Sequence, residues 1–460
     1  MKKVTALLTA MTMVLSLSAC GSEPAESSNE MSSAAQESQT EKKETTPEES
    51  EASDSSEESQ PTEVTTVTLW SMFAEDSEPT ATSQRILKLV NDFNASHDNI
   101  QVEVSFGKTY DNIVTAIAAE GTPDIFQMYW QNAAPLSAKG ALLNLTDYVN
   151  NDAGFDADDI LPGTWELCRV DGETYSIPLS ASTTYILYNP KVLSAAGWET
   201  FPTTVEDLIQ CAKDCYDLGG TTSMGLSPIF PWQDDVLWPA MLEAGWDNAD
   251  GAPAFDNEAI RKSYEVQREL IEYQGGYTAV SAWGNDWYST RSTASDPVLS
   301  GVCAMRFQAD SGLATLYSNS EGYVYGEDWE IATVPGNSMM TAGVYEINAK
   351  TANADAAWEV LSYISSPEAM AYLAEGMSNY GAFMPRTSAL QALKAMDVSD
   401  PIKEAADLLM TAELQSFPMS GYVSEYLTAI STHMSQYLSG ELDIDTAVTN
   451  VQTEIEAAIP

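Results

Sequence analysis

The sequence predicts an α/β protein built on a largely parallel sheet, in two domains or one bilobed unit. Three observations carry this. Between residues 65 and 128, β-branched alternating segments and helical-period segments follow one another in strand–helix order, as crossover-connected strands require. The part after residue 64 spans nearly four hundred residues and holds all 11 tryptophans, enough for a large core and more than one ordinary domain. From residue 355 onward the pattern is helical, in four or five segments.

Taken in order, Lys2 and Lys3 precede an apolar run over 4–15 that closes on Leu17-Ser18-Ala19-Cys20. A charged start, a short hydrophobic core and small residues before a cleavage point read as a secretory signal. The run is too short to cross a bilayer as a helix. Leu-Ser-Ala-Cys resembles the bacterial lipobox. That resemblance implies that residues 1–20 are a lipoprotein signal peptide and that Cys20 becomes the acylated N-terminus, diacylglyceryl plus a palmitate-type chain. Two or more chains give a stable anchor in a lipid membrane. Residues 21–64 contain thirteen acidic residues against Lys42 and Lys43, and no aromatic. Such a segment buries too little apolar area to offset its ordering entropy, so a disordered acidic linker is expected. As a flexible coil it would span roughly 35–40 Å.

Residues 65–70 alternate and are β-branched, which predicts a strand. Residues 83–93 carry apolar positions at helical spacing behind a Ser83 cap. Residues 100–106 predict a second strand, 110–119 a helix ended by Gly121, and 124–128 a third strand. Ligands of such sheets bind beyond the carboxyl ends of the strands, here the loops 70–75 and 127–132. Strands are expected again at 174–178, 184–189, 301–307, 329–335 and 343–349, with helices at 204–218 and 257–273.

The chain holds 68 Asp and Glu against 20 Lys and Arg, a formal net charge of −48. That argues against nucleic acid and anionic lipid as partners and for solubility. Apart from Cys20 there are Cys168, Cys211, Cys215 and Cys303. With only His97 and His433 beside them, a zinc site is not expected. The cysteines read as small buried apolar residues with one disulfide or none. No metal or other cofactor is called for.

Several motifs then occur in a fixed order. They are Gly121-Thr122-Pro123-Asp124-Ile125, the run 171–178 (Asp-Gly-Glu-Thr-Tyr-Ser-Ile-Pro), and Leu187-Tyr188-Asn189-Pro190-Lys191 followed by Ala196-Gly197 and Phe201-Pro202-Thr203-Thr204. Next come Gly301-Val302-Cys303-Ala304-Met305, Ala357-Trp358-Glu359 with Ser366-Pro367-Glu368, and Met384-Pro385-Arg386. Together they resemble the extracellular solute-binding proteins of family 1, with Val302 in place of a usual basic residue and Gln127 where aliphatic residues are common. The resemblance implies a two-lobed, periplasmic-binding-protein-like (type II) fold, with a hinged interlobe cleft and a helical C-terminus. It implies one lobe from 65–181 plus 337–389 and another from 182–336 plus 390–460. It also implies a monomeric, non-enzymatic receptor that hands a carbohydrate to the membrane permease subunits of an ABC importer. The expected location is the outer face of the cell membrane, and the tether suits a single-membrane, Gram-positive type of cell.

A sugar offers hydroxyl edges and apolar C–H faces, so its site needs aromatic platforms and carboxylate or amide acceptors. The loops supply Trp70 and Glu75, then Tyr129, Trp130 and Gln131. Further along come Trp232 and Asp234, Trp246 in the 244–247 cluster, and Asp286 with Trp287. Arg306 and Asp310 follow the Ala-Met strand, and Tyr345 and Tyr422 fall near cleft positions of the family. Trp238, Trp329 and Trp358 sit in apolar patterns and are expected in the core, and Asp124 is expected to brace a turn. Alternatives remain open: a non-sugar solute, a sensory partner of a membrane kinase, or a secreted glycosidase. Against the last, Gly225-Leu226-Ser227-Pro228-Ile229 fails as a nucleophile elbow and no His-Glu-x-x-His occurs.

Overall fold

The computed structural model describes residues 64–119, 123–229, 234–248, 251–310 and 312–459. The signal peptide, Cys20, the acidic linker and the Gly121-Thr122 turn lie outside the described residues. The strands are β1 (Thr65–Trp70), β2 (Ile100–Ser105), β3 (Ile125–Tyr129), β4 (Arg169–Val170), β5 (Glu173–Thr174), β6 (Ser176–Pro178) and β7 (Thr184–Tyr188). They continue with β8 (Met224–Ser227), β9 (Cys303–Ala309), β10 (Glu330–Thr333), β11 (Ser338–Met339), β12 (Gly343–Ile347) and β13 (Leu414–Gln415).

Two sheets organise the molecule into two lobes. The first runs β2-β1-β3-β12-β6 and the second β10-β7-β9-β8. In the first, β1 lies parallel to both β2 and β3, while β12 runs antiparallel to β3 and β6. Val67, Leu69, Ile125, Phe126, Met128 and Val344 are fully buried, as a sheet covered on both faces requires. The helix Thr82–Ser96 lays Ile86, Leu89, Val90 and Phe93 into that core; each such side chain contributes about 1.5–3 kcal/mol. Its cap is not the expected Ser83: the helix starts one residue earlier, and Ser83 Oγ instead accepts the Asp76 amide at 3.2 Å. Elsewhere side chains cap as the sequence suggests. Thr109 and Asn112 form a reciprocal capping box, and Thr204 and Asn257 close the starts of Val205–Asp217 and Glu258–Tyr273.

In the second sheet a glycine in a strand interior has a packing reason. A Cβ on Gly225 would stand 1.8 Å from the Ala212 carbonyl oxygen, because the helix Val205–Asp217 lies directly on β8. The strand expected at 301–307 starts later, at Cys303, since Gly301 turns the chain with φ 70°.

The chain passes between sheets over 179–183, joining β6 to β7, and returns over 334–342. A third passage, through β13, links the helix Asp400–Thr411, which packs on β10, to the helix Val423–Ser439. The passages are stitched together: Ser182 bridges Thr341, and β11 pairs in parallel with β13. The region after residue 353 forms six helices rather than four or five. Gly381 at φ 98° ends one of them and Pro401 opens another. All four described cysteines are buried and free, and Trp238, Trp329 and Trp358 are core residues. Among the described residues no helix is long and apolar enough to cross a membrane.

Candidate ligand-binding cleft

On the first lobe, the carboxyl ends of β1 and β3 present the two predicted loops side by side. Gln127, unusual in its sequence context, fixes the first of them: its Oε1 accepts Ser71 Oγ and the Met72 amide, both at 2.9 Å. Asp124 is a brace, as expected. It accepts the Thr68 amide at 2.8 Å and the Thr68 hydroxyl at 2.7 Å, and it holds Thr351. Trp70 ends β1 half-buried, with Lys108 Nζ 4.5 Å from its ring centroid, a cation–π contact that occupies one face of the ring. Glu75 is exposed beyond it.

After β3 the chain makes a tight turn, Trp130–Asn132. This separates two aromatics that are both expected to face a ligand. The Trp130 amide donates to Ala342 O at 3.1 Å and the indole tucks into the core, 8% exposed, while Tyr129 stands 44% exposed. Gln131 is half-exposed, and Asn132 Nδ2 donates to Tyr129 O.

The helix Val423–Ser439 packs against this turn and the following helix Ala133–Ala138. Gly421 lies at this contact, where a Cβ would sit 3.5 Å from Ala138 Cβ, an ordinary packing distance. Tyr422 is half-buried at the start of that helix. Behind it lies an aromatic cluster. Trp246 and Phe417 have ring centroids 4.8 Å apart, Phe417 and Tyr426 5.0 Å, and the Tyr426 hydroxyl donates to Trp246 O at 3.0 Å. Trp246 is 3% exposed and its Nε1 has no partner. Asp247 follows it, half-buried. Burial raises its carboxyl above the ordinary range, and burial together with this carboxylate raises the Tyr422 hydroxyl.

Asp235, half-buried against the Ser431 side of the same helix, is pushed up to about 6 by desolvation. Trp232 lies outside the described residues, as does the side chain of Asp234, whose backbone opens the helix Asp234–Met241. On the helix Tyr277–Tyr288, Trp287 is half-exposed with its ring centroid 6.2 Å from Trp283, which donates to Ser223 Oγ; Asp286 is exposed.

Three expected contacts are internal braces in this structure. Arg306 is 4% exposed, donates from Nη2 to Asp296 Oδ2 at 2.6 Å and from Nη1 to Gln308; a guanidinium in a core must be paired. Asp310, 2% exposed, accepts the Thr183 amide at 2.9 Å. Tyr345 is 2% exposed in the middle strand β12, flanked by β3 and β6. Conversely, Asp247 belongs to the 244–247 cluster that the sequence marks, whereas Lys108 and Phe417 are not marked by it. Only Asp247 carried a signal, as the acid in a polar-aromatic cluster.

The described residues here offer exposed or half-exposed aromatic surface and carboxylates, such as Asp247, that form no ion pair among the described residues, a set suited to a polyhydroxylated ligand. Hollows of about 490 Å³ and 290 Å³ lie elsewhere, one lined by Glu425, Thr428 and Glu454, the other by Phe201, Thr333 and Glu413. They are shallow and hold little of that chemistry. Among the described residues no group of three or more His, Cys, Asp or Glu is placed to hold a metal ion.

The model of the family described as bacterial extracellular solute-binding protein matches residues 77–371. This chain belongs to that family. The solute-binding proteins it resembles in structure share its two-lobed α/β architecture at low sequence identity. The sugar-binding protein MalE from Xanthomonas citri superposes with a TM-score of 0.70 at 19% identity, covering 85% of this chain and 97% of that one. The GacH receptor of Streptomyces glaucescens, solved unliganded and with acarbose, gives 0.61 at 20% identity, covering 86% and 98%. The cyclic alpha-maltosyl-1,6-maltose binding protein from Arthrobacter globiformis gives 0.65 at 16% identity, covering 86% and 98%. No curated protein sequence matches significantly. The solute-binding family places the protein outside the cytoplasm.

Proposed function

We propose that the protein is a lipid-anchored receptor that captures an extracellular oligosaccharide and delivers it, unchanged, to the permease of an ABC importer. The observation that supports the reading is the helix Val423–Ser439, which packs on the turn after β3 and carries Tyr426 into the Trp246–Phe417 cluster, with Tyr422 near Asp247 at its start. Aromatic surface with unneutralised acceptors suits sugar hydroxyls and disfavours anionic solutes. The structural neighbours support it through their own ligands: mannobiose and mannotriose in one, maltose in another, cycloalternan in a third. The lobes are taken as 65–181 with 337–389, and 182–336 with 390–460. Cys20 is the acylation site.

A thermal-shift panel of maltotriose, mannotriose and cyclic glucans tests the ligand class. A sugar at a hundred times its dissociation constant stabilises by about 2.7 kcal/mol. Tyr422→Ala and Asp247→Asn should abolish the shift while leaving the apo transition unchanged. A panel with no shift, or turnover of any of these sugars, would overturn the reading.

A further inference from the structure

One buried acid joins all three passages between the sheets. Asp310, at the end of β9, accepts the Thr183 amide on Oδ2 at 2.9 Å. Thr183 belongs to the first passage, and its hydroxyl donates to Ser338 Oγ at 2.8 Å in β11, on the second. β11 pairs with β13, on the third. The Tyr185 hydroxyl stands beside the same carboxyl and donates its proton to Ala405 O at 3.0 Å, on the helix that leads into the third passage.

The other oxygen, Oδ1, is buried without a hydrogen bond. An ionised carboxylate in this position leaves Oδ1 with only the nearby Ser182 hydroxyl to turn to, because Tyr185 donates its proton to Ala405 O. A protonated carboxyl resolves this by donating from Oδ1 to the Tyr185 oxygen, which still has an acceptor lone pair.

We propose that Asp310 is a positioning residue for the hinge, holding the three passages together in its acid form and loosening them when it loses the proton. Burial pushes its carboxyl up to about 7, which puts the change within the pH range of natural surroundings. The groups acting on it are the Thr183 amide and its own, the Tyr185 hydroxyl of β7 and the Ser182 hydroxyl of the first passage. The Ala405 carbonyl and the Ser338 hydroxyl are the neighbouring polar groups on the helix Asp400–Thr411 and β11. None of these carries a positive charge. The proposal rests on the two-lobed fold and not on the sugar.

Hydrogen exchange on the full chain, corrected for the intrinsic pH dependence, tests it in a Glu346→Gln background, which removes the pH dependence of that buried β12 acid. Peptides covering 179–190, 334–345 and 403–415 should open about tenfold more per pH unit up to about pH 7 and level off above it, because opening releases the proton. Peptides of β1 and β2 should show no such slope. In Asp310→Asn the amide donates to Tyr185 permanently, and the slope should vanish from all three regions. A flat profile with Asp310 in place, or a slope that survives in the variant, overturns the proposal. If the variant fails to fold, the contrast between passages and β1 with Asp310 in place still decides. No ligand enters the measurement, so its failure is distinct from failure of the sugar panel.

Discussion

Replacing Gln127 by Leu tests whether the loop after β1 is held in place by a single side chain. The glutamine Oε1 serves two donors, Ser71 Oγ and the Met72 amide, each at 2.9 Å, and Gln127 and Ser71 are both buried. Leucine fits the apolar surroundings but accepts nothing, so both donors lose their partner. A buried group left unpaired costs about 1–3 kcal/mol. The hydroxyl can rotate away while Oγ keeps its contact with the Phe73 amide at 3.3 Å, so it belongs at the low end; the amide cannot. The expected loss is about 2–4 kcal/mol. Urea unfolding followed by tryptophan fluorescence measures it, and a cycle with Ser71→Ala should return a coupling of about 1 kcal/mol. Ligand affinity should fall together with stability, since the loop carries Trp70 and Glu75 to the cleft. A Gln127→Leu protein within about 0.5 kcal/mol of wild type would refute the reasoning, because surface-like substitutions span that range.

Arg386 is fully buried and donates to the carbonyls of Ser365, Asp156 and Phe155 at 2.6–2.8 Å, with Asp159 3.6 Å away. Arg386→Met should cost about 3–5 kcal/mol in urea unfolding, and Arg386→Lys should recover little, because one ammonium cannot reach three divergent carbonyls. Glu346 is fully buried with both oxygens unpartnered, and burial raises its carboxyl well above the usual range. A raised folded value means that the folded state holds the proton more tightly, so the stability it contributes below about pH 4.3 is lost as pH rises towards the folded value. The melting temperature should therefore fall from pH 5 to pH 8, and Glu346→Gln should make that fall shallower. An unchanged slope would remove Glu346 from the explanation.

Local signals in the sequence were sufficient for the first sheet. Alternation in 65–70 and the helical spacing of Ile86, Leu89, Val90 and Phe93 need no partner to be recognised, because each element's own period reveals its buried face. The site was less legible. Tyr129 and Trp130 are neighbours in a polar loop, and only the turn geometry decides which ring is buried. Arg306 reads as a cleft cation until Asp296, across the turn at Pro297, is seen to hold it. Phe417 gains its role from contact with Trp246, far away in the chain, and nothing in its own neighbourhood announces that. Gln127 is the instructive exception: its departure from the family pattern marked a residue that braces the site.

The position of β1 has a mechanical consequence. Its first residue is where the preceding chain joins the folded part, and it lies between two parallel neighbours rather than at an edge. Tension applied at Thr65 in the direction of β1 loads the strand along its own length. Six register pairs with β2, from Thr65–Ile100 to Trp70–Ser105, are then sheared at once instead of peeled one at a time, and Asp124 clamps Thr68 from the other side. A load applied at that end in the strand direction thus meets the sheet along the line that resists it best.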